Sequence, residues 1–173
     1  HIPMNWTQLI SSKRLGKENT PKPLAERRSE FQRDFDRLIF SAAFRRMQNK
    51  TQVFPLPGSI FVHNRLTHSL EVSSVGRSLG ADVSRELIAR HPELADTEVT
   101  SLGAIVSAAC LAHDMGNPPF GHSGERAIRT YFSEGKGNRL HDLVTEDGTD
   151  LSEAEWQDMI RFDGNANTFR LLM

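Results

Sequence analysis

The apolar positions of this chain fall into helical stripes separated by breaks rich in Pro and Gly. Over residues 26–49, Phe31, Phe35, Leu38, Ile39, Ala42 and Met47 recur at mostly three- to five-residue spacings among Arg and Asp, which predicts a first long helix. The segment VFPLPGS, with two prolines and a glycine, ends it as a loop. A second long helix is predicted over 66–90, with Leu70, Val75, Leu79, Val83 and Leu87 on one apolar stripe. A more apolar third helix is expected over 98–113. After the loop MGNPPFG, a fourth starts near Ser123 and buries Ala127, Ile128, Tyr131 and Phe132. Residues 133–155 are polar and poorly periodic and read as a surface loop or insertion. The final stretch, EAEWQDMIRFDGNANTFRLLM, reads as helical at both ends with DGNAN as the turn between them. No internal repeat and no convincing strand pair appears, so the predicted fold class is all-α.

Residues 1–25 read as an arm, with few apolar positions and two prolines over 4–25, leaving 26–173 as the folded portion. His1–Pro3, ahead of Met4, read as a vector remnant. The apolar ending FRLLM predicts that these 173 residues are part of a larger chain.

Composition narrows the function classes. With 25% charged residues and a net charge of -1, the chain is not a whole-surface polyanion binder, and only local basic patches remain. Its single cysteine, Cys110, excludes an internal disulfide framework. Lying in an apolar run, it reads as a small buried hydrophobe. No run approaches the roughly 18 apolar residues of a membrane span, and no signal peptide is visible, so the expected compartment is the cytoplasm.

The chemistry concentrates in CLAHDMGNPPFGHSGE, residues 110–125. His113 and Asp114 end an apolar helix. Consecutive helical side chains diverge by about 100°, but where the helix unwinds both can converge on one point. An imidazole with a carboxylate suits a divalent ion of borderline hardness such as Mn²⁺, Fe²⁺ or Zn²⁺; the alternative is an Asp capping a turn beside a packed His. HNRLTHSLEV offers a third ligand. His68 is favoured over His63, because a helix fixes a ligand better than a loop. Two prolines stiffen GNPPFGH ahead of His122, and Glu125 follows on the first turn of the next helix. A carboxylate bonded to an imidazole sets its tautomer and raises its basicity, as proton transfer requires; alternatively, Glu125 simply complements a helix N-terminus. Arg65, three residues before His68, offers a bidentate fork for phosphate. FRRMQNKTQVF adds Arg45, Arg46, Lys50 and Gln52. No Walker-type glycine loop is present, which excludes a P-loop mechanism.

NRLTHS followed some forty residues later by LAHDMGNPPFGHSGE resembles the HD-domain phosphohydrolases, and among them the deoxyguanosine triphosphate triphosphohydrolase (dGTPase) family. FQRDFDRLIFSAAFRRMQNKTQVFP and RFDGNANTFRL extend the resemblance over most of 26–173 apart from the polar insertion. It implies the N-terminal portion of a helical HD-domain bundle belonging to a larger all-α enzyme. It further implies a metal site of His68, His113 and Asp114, with Mn²⁺ or Mg²⁺ as the expected ion and Fe²⁺, Zn²⁺ or Ni²⁺ as alternatives. The family's fourth ligand, a later Asp, has no counterpart in a matching context here. His122 and Glu125 correspond to a catalytic dyad, with His122 either deprotonating the attacking water or protonating the leaving 5′-oxygen. Gln52 is expected near the deoxyribose 3′-hydroxyl and Arg65 near the α-phosphate, with Arg46 and Asn117 counted among the substrate-binding residues. Asn117 stands where some relatives carry a histidine.

The implied activity is metal-dependent hydrolysis of dGTP, or of other deoxynucleoside triphosphates, to deoxynucleoside and inorganic triphosphate. The implied partners are copies of the chain, as in the family's hexamers, and a single-stranded DNA or nucleotide effector. The alternatives are an HD phosphohydrolase of other specificity and an HD module that binds nucleotide or nucleic acid with weak catalysis.

Overall fold

The structure is a computed structural model and describes residues 4–16, 29–51, 64–145 and 150–173. Among these the architecture is helical, as the sequence predicts, with two isolated β-bridges (Thr51 with Asn64, Val144 with Leu151) and no extended strand. The helices are α1 (Trp6–Leu9), α2 (Glu30–Phe40), α3 (Ala42–Arg46), α4 (Arg65–Arg90), α5 (Leu102–Ala112), α6 (His122–Ser133), α7 (Glu153–Ile160) and α8 (Gly164–Leu172). The chain divides into two compact units, His1–Ser41 with Ser69–Ala112, and Ala42–His68 with His113–Met173.

In the first unit, α2 packs on α5, and Ile10, Leu94 and Val99 form a small core joined by Trp6, Phe31, Leu87 and Ile105. Part of the expected arm is thus anchored: Asn5 caps the short α1, Ile10 plugs the core, and Arg14 pairs with Glu30 and Asp34. The predicted first helix does not run through. Ser41 adopts an extended conformation (ψ 147°) and returns both its N–H and its hydroxyl to the carbonyl of Leu38, closing α2 there. Short α3 and a 3₁₀ turn over Met47–Asn49 follow, burying Phe44 and Met47 while Ala42 is exposed.

The largest departure from expectation lies on α4. Its predicted stripe of Leu70, Val75, Leu79 and Val83 is exposed, with Val75 and Leu79 each 60% accessible. The buried face is instead a line of small residues, Ser69, Ser73, Gly76, Gly80 and Ser84. Small side chains let α5 approach closely. A Cβ on Gly76 would lie 2.6 Å from Cys110 Sγ, and one on Gly80 would lie 2.8 Å from the Leu102 carbonyl oxygen. The serines satisfy themselves across this seam: Ser73 bonds Ser107 at 2.8 Å, and Ser84 donates to the Val99 carbonyl at 2.9 Å. Hydrophobic periodicity finds the helix but selects the wrong face, because this seam is built on close approach rather than bulk. Cys110 is partly buried against Gly76.

In the second unit, α6 packs on α7 and on the 3₁₀ segment Lys136–Leu143, which gives the expected polar loop regular structure over much of its length. Trp156 of α7 is buried and meets the His141 ring edge-on at 5.0 Å. A capping box of Ser152 and Glu155 starts α7. On α6, Ala127 and Tyr131 are exposed rather than buried, and Ile128 and Phe132 are partly covered. The predicted turn DGNAN is not a turn. Asp163 accepts the Ala166 N–H as an N-cap and Gly164 opens α8, so the break between α7 and α8 falls at Arg161 and Phe162.

Candidate functional site

All the candidate residues that fall among the described ones belong to the second unit, and the sequence sets most of their positions through local capping. Asn64 accepts the Thr67 N–H at 2.9 Å, a side-chain N-cap that starts α4 at Arg65 and puts His68 at the end of its first turn. Beside it, Arg65 N–H bonds the Lys50 carbonyl, and Lys50 Nζ donates to the Met115 carbonyl at 3.2 Å. The segment before α4 and the loop after α5 are thereby tied together.

α5 ends at Ala112, so His113 and Asp114 lie on the unwound turn that follows, where adjacent side chains converge. A nitrogen of His68, one of His113 and an oxygen of Asp114 all lie within 4.8 Å of one another. The His68 and His113 rings are 5.5 Å apart and edge-to-face, and His113 Nε2 is 3.6 Å from Asp114 Oδ2. Metal bonds of about 2.1 Å set neighbouring ligands about 3 Å apart and opposite ones about 4.2 Å apart. Closing the three groups on an ion therefore requires movements of less than about 1 Å. Two imidazoles and a carboxylate are also a donor set suited to a first-row divalent ion. The residues fit a metal.

Asp114 is held from both sides. Arg65 donates to Oδ2 at 2.8 Å and Asn117 Nδ2 to Oδ1 at 2.6 Å, and the carboxylate is only 10% exposed. Arg65 itself is buried, and its Nε has no hydrogen-bond partner among the described residues. Expected as a phosphate ligand, Arg65 is engaged here first as the brace of a candidate metal ligand. Asn117, expected among the substrate-binding residues, likewise turns its amide to Asp114.

The loop that follows is under local strain. Phe120 has a φ of 66° and Gly121 one of 54°; a Cβ on Gly121 would also stand 3.1 Å from the Arg65 guanidinium. Phe120 N–H bonds the Thr51 carbonyl, which pins this turn. The turn delivers His122 as the first residue of α6, with its side chain 94% exposed, and Glu125 one turn on and buried. His122 Nδ1 lies 3.0 Å from Glu125 Oε2. Glu125 is held below the usual carboxylate range, first by this hydrogen bond and then by the Gly164 N–H, against the opposing effect of burial. An ionised carboxylate only accepts, so Nδ1 carries the proton and Nε2 is left for exchange with a ligand.

Arg65, His68, His113, Asp114, Asn117, Gly121, His122 and Glu125 line one cavity of about 280 Å³. A larger cavity of about 480 Å³ in the same unit, walled by α6, α7 and α8, contains none of the candidate residues. Arg46 is exposed and does not line the smaller cavity; its charge acts on Lys50, whose ammonium is pushed down first by burial and then by Arg65 and Arg46. Gln52 lies outside the described residues. Thr168 and Asn167 also bond the backbone of this loop, at Gly116; FDGNAN is legible in the sequence as a motif, but nothing local reveals what such residues touch.

Comparison with known proteins agrees with this geometry. Residues 65–147 match the HD domain family model. A protein of Synechocystis sp. named deoxyguanosinetriphosphate triphosphohydrolase-like is 50% identical over 169 residues, covering 98% of this chain and 37% of the relative. A like-named protein of Pseudomonas aeruginosa is 49% identical, covering 98% and 36%. A deoxyguanosinetriphosphate triphosphohydrolase of Yersinia enterocolitica is 37% identical over 196 residues, covering 98% and 38%. The chain thus spans little more than a third of the length of these relatives. No helix among the described residues is long and apolar enough to cross a membrane. Residues 65–147 are thus an HD domain, and nearly the whole chain is similar to proteins named deoxyguanosinetriphosphate triphosphohydrolase or deoxyguanosinetriphosphate triphosphohydrolase-like.

Proposed function

We propose that the protein containing these residues is a metal-dependent deoxynucleoside triphosphate triphosphohydrolase, with dGTP among its substrates. One observation carries this reading: the His68–His113–Asp114 donor cluster and the His122–Glu125 pair line the same cavity. The names of the relatives support the substrate class.

In this reading His68, His113 and Asp114 hold Mn²⁺ or Mg²⁺. The ion supplies Lewis-acid stabilisation of charge on a phosphate oxygen. Water adds to the α-phosphorus, the bond from that phosphorus to the 5′-oxygen breaks, and the products are a deoxynucleoside with its 5′-hydroxyl and intact triphosphate. His122 exchanges a proton through Nε2, with Glu125 stabilising the imidazolium from the other side. Arg65 keeps Asp114 oriented while adding positive charge to the cavity wall. Asn117 fixes the other carboxylate oxygen. Arg46, outside the wall, and Gln52 are assigned to the phosphate tail and the sugar. Self-association and a nucleotide or single-stranded DNA effector belong to the same proposal.

The test is phosphorus NMR of the products when the full-length protein is incubated with each deoxynucleoside triphosphate and Mn²⁺. Inorganic triphosphate with free deoxynucleoside is the expected pair. Pyrophosphate or orthophosphate would assign the chain a different phosphohydrolase chemistry, and binding without turnover would make it a nucleotide-binding module.

A further inference from the structure

The first turns of α8 make an unusual number of bonds to the loop that carries the candidate site. Gly164 N–H donates to Glu125 Oε1 at 2.9 Å, on the carboxylate oxygen that His122 does not use. Thr168, 7% exposed, accepts the Gly116 N–H on its hydroxyl at 2.9 Å. The same hydroxyl lies 3.0 Å from the Gly164 carbonyl and 3.4 Å from the carbonyl of His113. Asn167 Nδ2 donates to the Gly116 carbonyl at 2.9 Å. The packing leaves no slack: a Cβ on Gly164 would fall 1.8 Å from Asn117 Oδ1, and one on Gly116 2.1 Å from the Thr168 nitrogen. One short segment therefore grips both peptide groups of Gly116, two residues beyond Asp114, and one oxygen of Glu125.

We propose that Gly164–Thr168 is a positioning element that sets the spacing between the metal-ligand turn and the proton-transfer pair, with Thr168 its principal side chain. The inference rests on the metal-dependent reading given above. None of these residues lines the cavity, so none is a catalytic residue. They act through the backbone that presents His113 and Asp114 and through the carboxylate that orients His122. The Thr168 hydroxyl is suited to this task because it accepts from one peptide and donates to another in a buried setting. Removing it strands the Gly116 N–H without a partner. Losing this bond frees the turn that presents His113 and Asp114, so metal affinity is the property that should fall.

The test uses the full-length protein and Mn²⁺ itself, with affinity read by electron paramagnetic resonance and folding by circular dichroism. Thr168→Val keeps the shape and removes the hydroxyl; Thr168→Ser keeps the hydroxyl. Thr168→Val is expected to weaken Mn²⁺ binding with folding retained, and Thr168→Ser to restore it. If Thr168→Val does not fold, Asn167→Ala, at a half-buried position, carries the test with the same expected direction. Wild-type Mn²⁺ affinity in a folded Thr168→Val, or in Asn167→Ala where Val fails, overturns the inference. A parallel His113→Ala variant separates the two claims. If it binds Mn²⁺ like wild type, the metal reading fails and the inference with it. If it loses binding while Thr168→Val does not, the positioning inference fails alone.

Discussion

Replacing Arg65 with Met separates the brace on Asp114 from the ion that is proposed to share that carboxylate. The Asp114 side chain is 10% exposed and the Arg65 side chain 5%, at 2.8 Å. Breaking a buried pair of this kind by removing one partner costs about 3–5 kcal/mol, because the remaining charge is left uncompensated. The substitution also removes a buried Nε that has no partner among the described residues, which returns about 1–3 kcal/mol. The expected net loss for the metal-free protein is therefore about 2 kcal/mol. Metal changes the account. A divalent ion gives Asp114 a new cation, so the variant gains more from loading than the wild type does. The wild type itself gains about 2.7 kcal/mol at a hundredfold excess over the dissociation constant. The assay is denaturant unfolding of the full-length protein and its variant, each in EDTA and in saturating Mn²⁺. The wild-type advantage should be largest in EDTA and shrink by about half or more with Mn²⁺. An advantage of equal size in both buffers would refute the claim that Arg65 and the ion compensate the same carboxylate.

His122→Ala should lower turnover by about 10²–10⁴-fold. Its exposed ring predicts unchanged folding and Mn²⁺ affinity, checked by thermal melting and metal titration; an active variant would remove His122 from the chemistry. The depressed Glu125 pKa gives a pH signature. A carboxyl held below its ordinary value of 4.5 stabilises the fold above that value, and the contribution is lost as pH falls through the depressed one. Glu125→Gln should therefore flatten the acid side of the stability profile below pH 4.5, measured by unfolding across the acid range. Gly116→Ala pushes a Cβ into the backbone of Thr168 and should destabilise by about 1–3 kcal/mol; a melting temperature matching wild type would contradict the close packing described.

What the sequence made legible follows from how local each cause is. The start of α4 and the end of α5 come within a residue of expectation, because Asn64 and the Pro-Gly loop are local signals. His68, His113 and Asp114 were visible because the HD motif is a short ordered string, and the structure brings their donor atoms together. Longer-range choices were not visible. Periodicity assigns the buried face of α4 to its largest apolar residues, whereas the close seam with α5 selects Ser73, Gly76 and Gly80. Residues 163–167 read as a turn because Asp, Gly and Asn favour turns, yet the same Asp and Gly also open a helix when Asp163 caps it. Thr168 is an ordinary hydroxyl on an amphipathic helix until Gly116, 52 residues away in sequence, is seen to donate to it.

The central claim is that His68, His113 and Asp114 hold a metal ion beside His122 and Glu125. A crystal structure of the full-length protein grown with Mn²⁺, with anomalous diffraction recorded at the manganese edge, tests it directly. The account predicts an anomalous peak within about 2.0–2.4 Å of one nitrogen of each histidine and one oxygen of Asp114, in the cavity that His122 and Glu125 also line. A peak bound by other residues, or none at these three under saturating Mn²⁺, would contradict it.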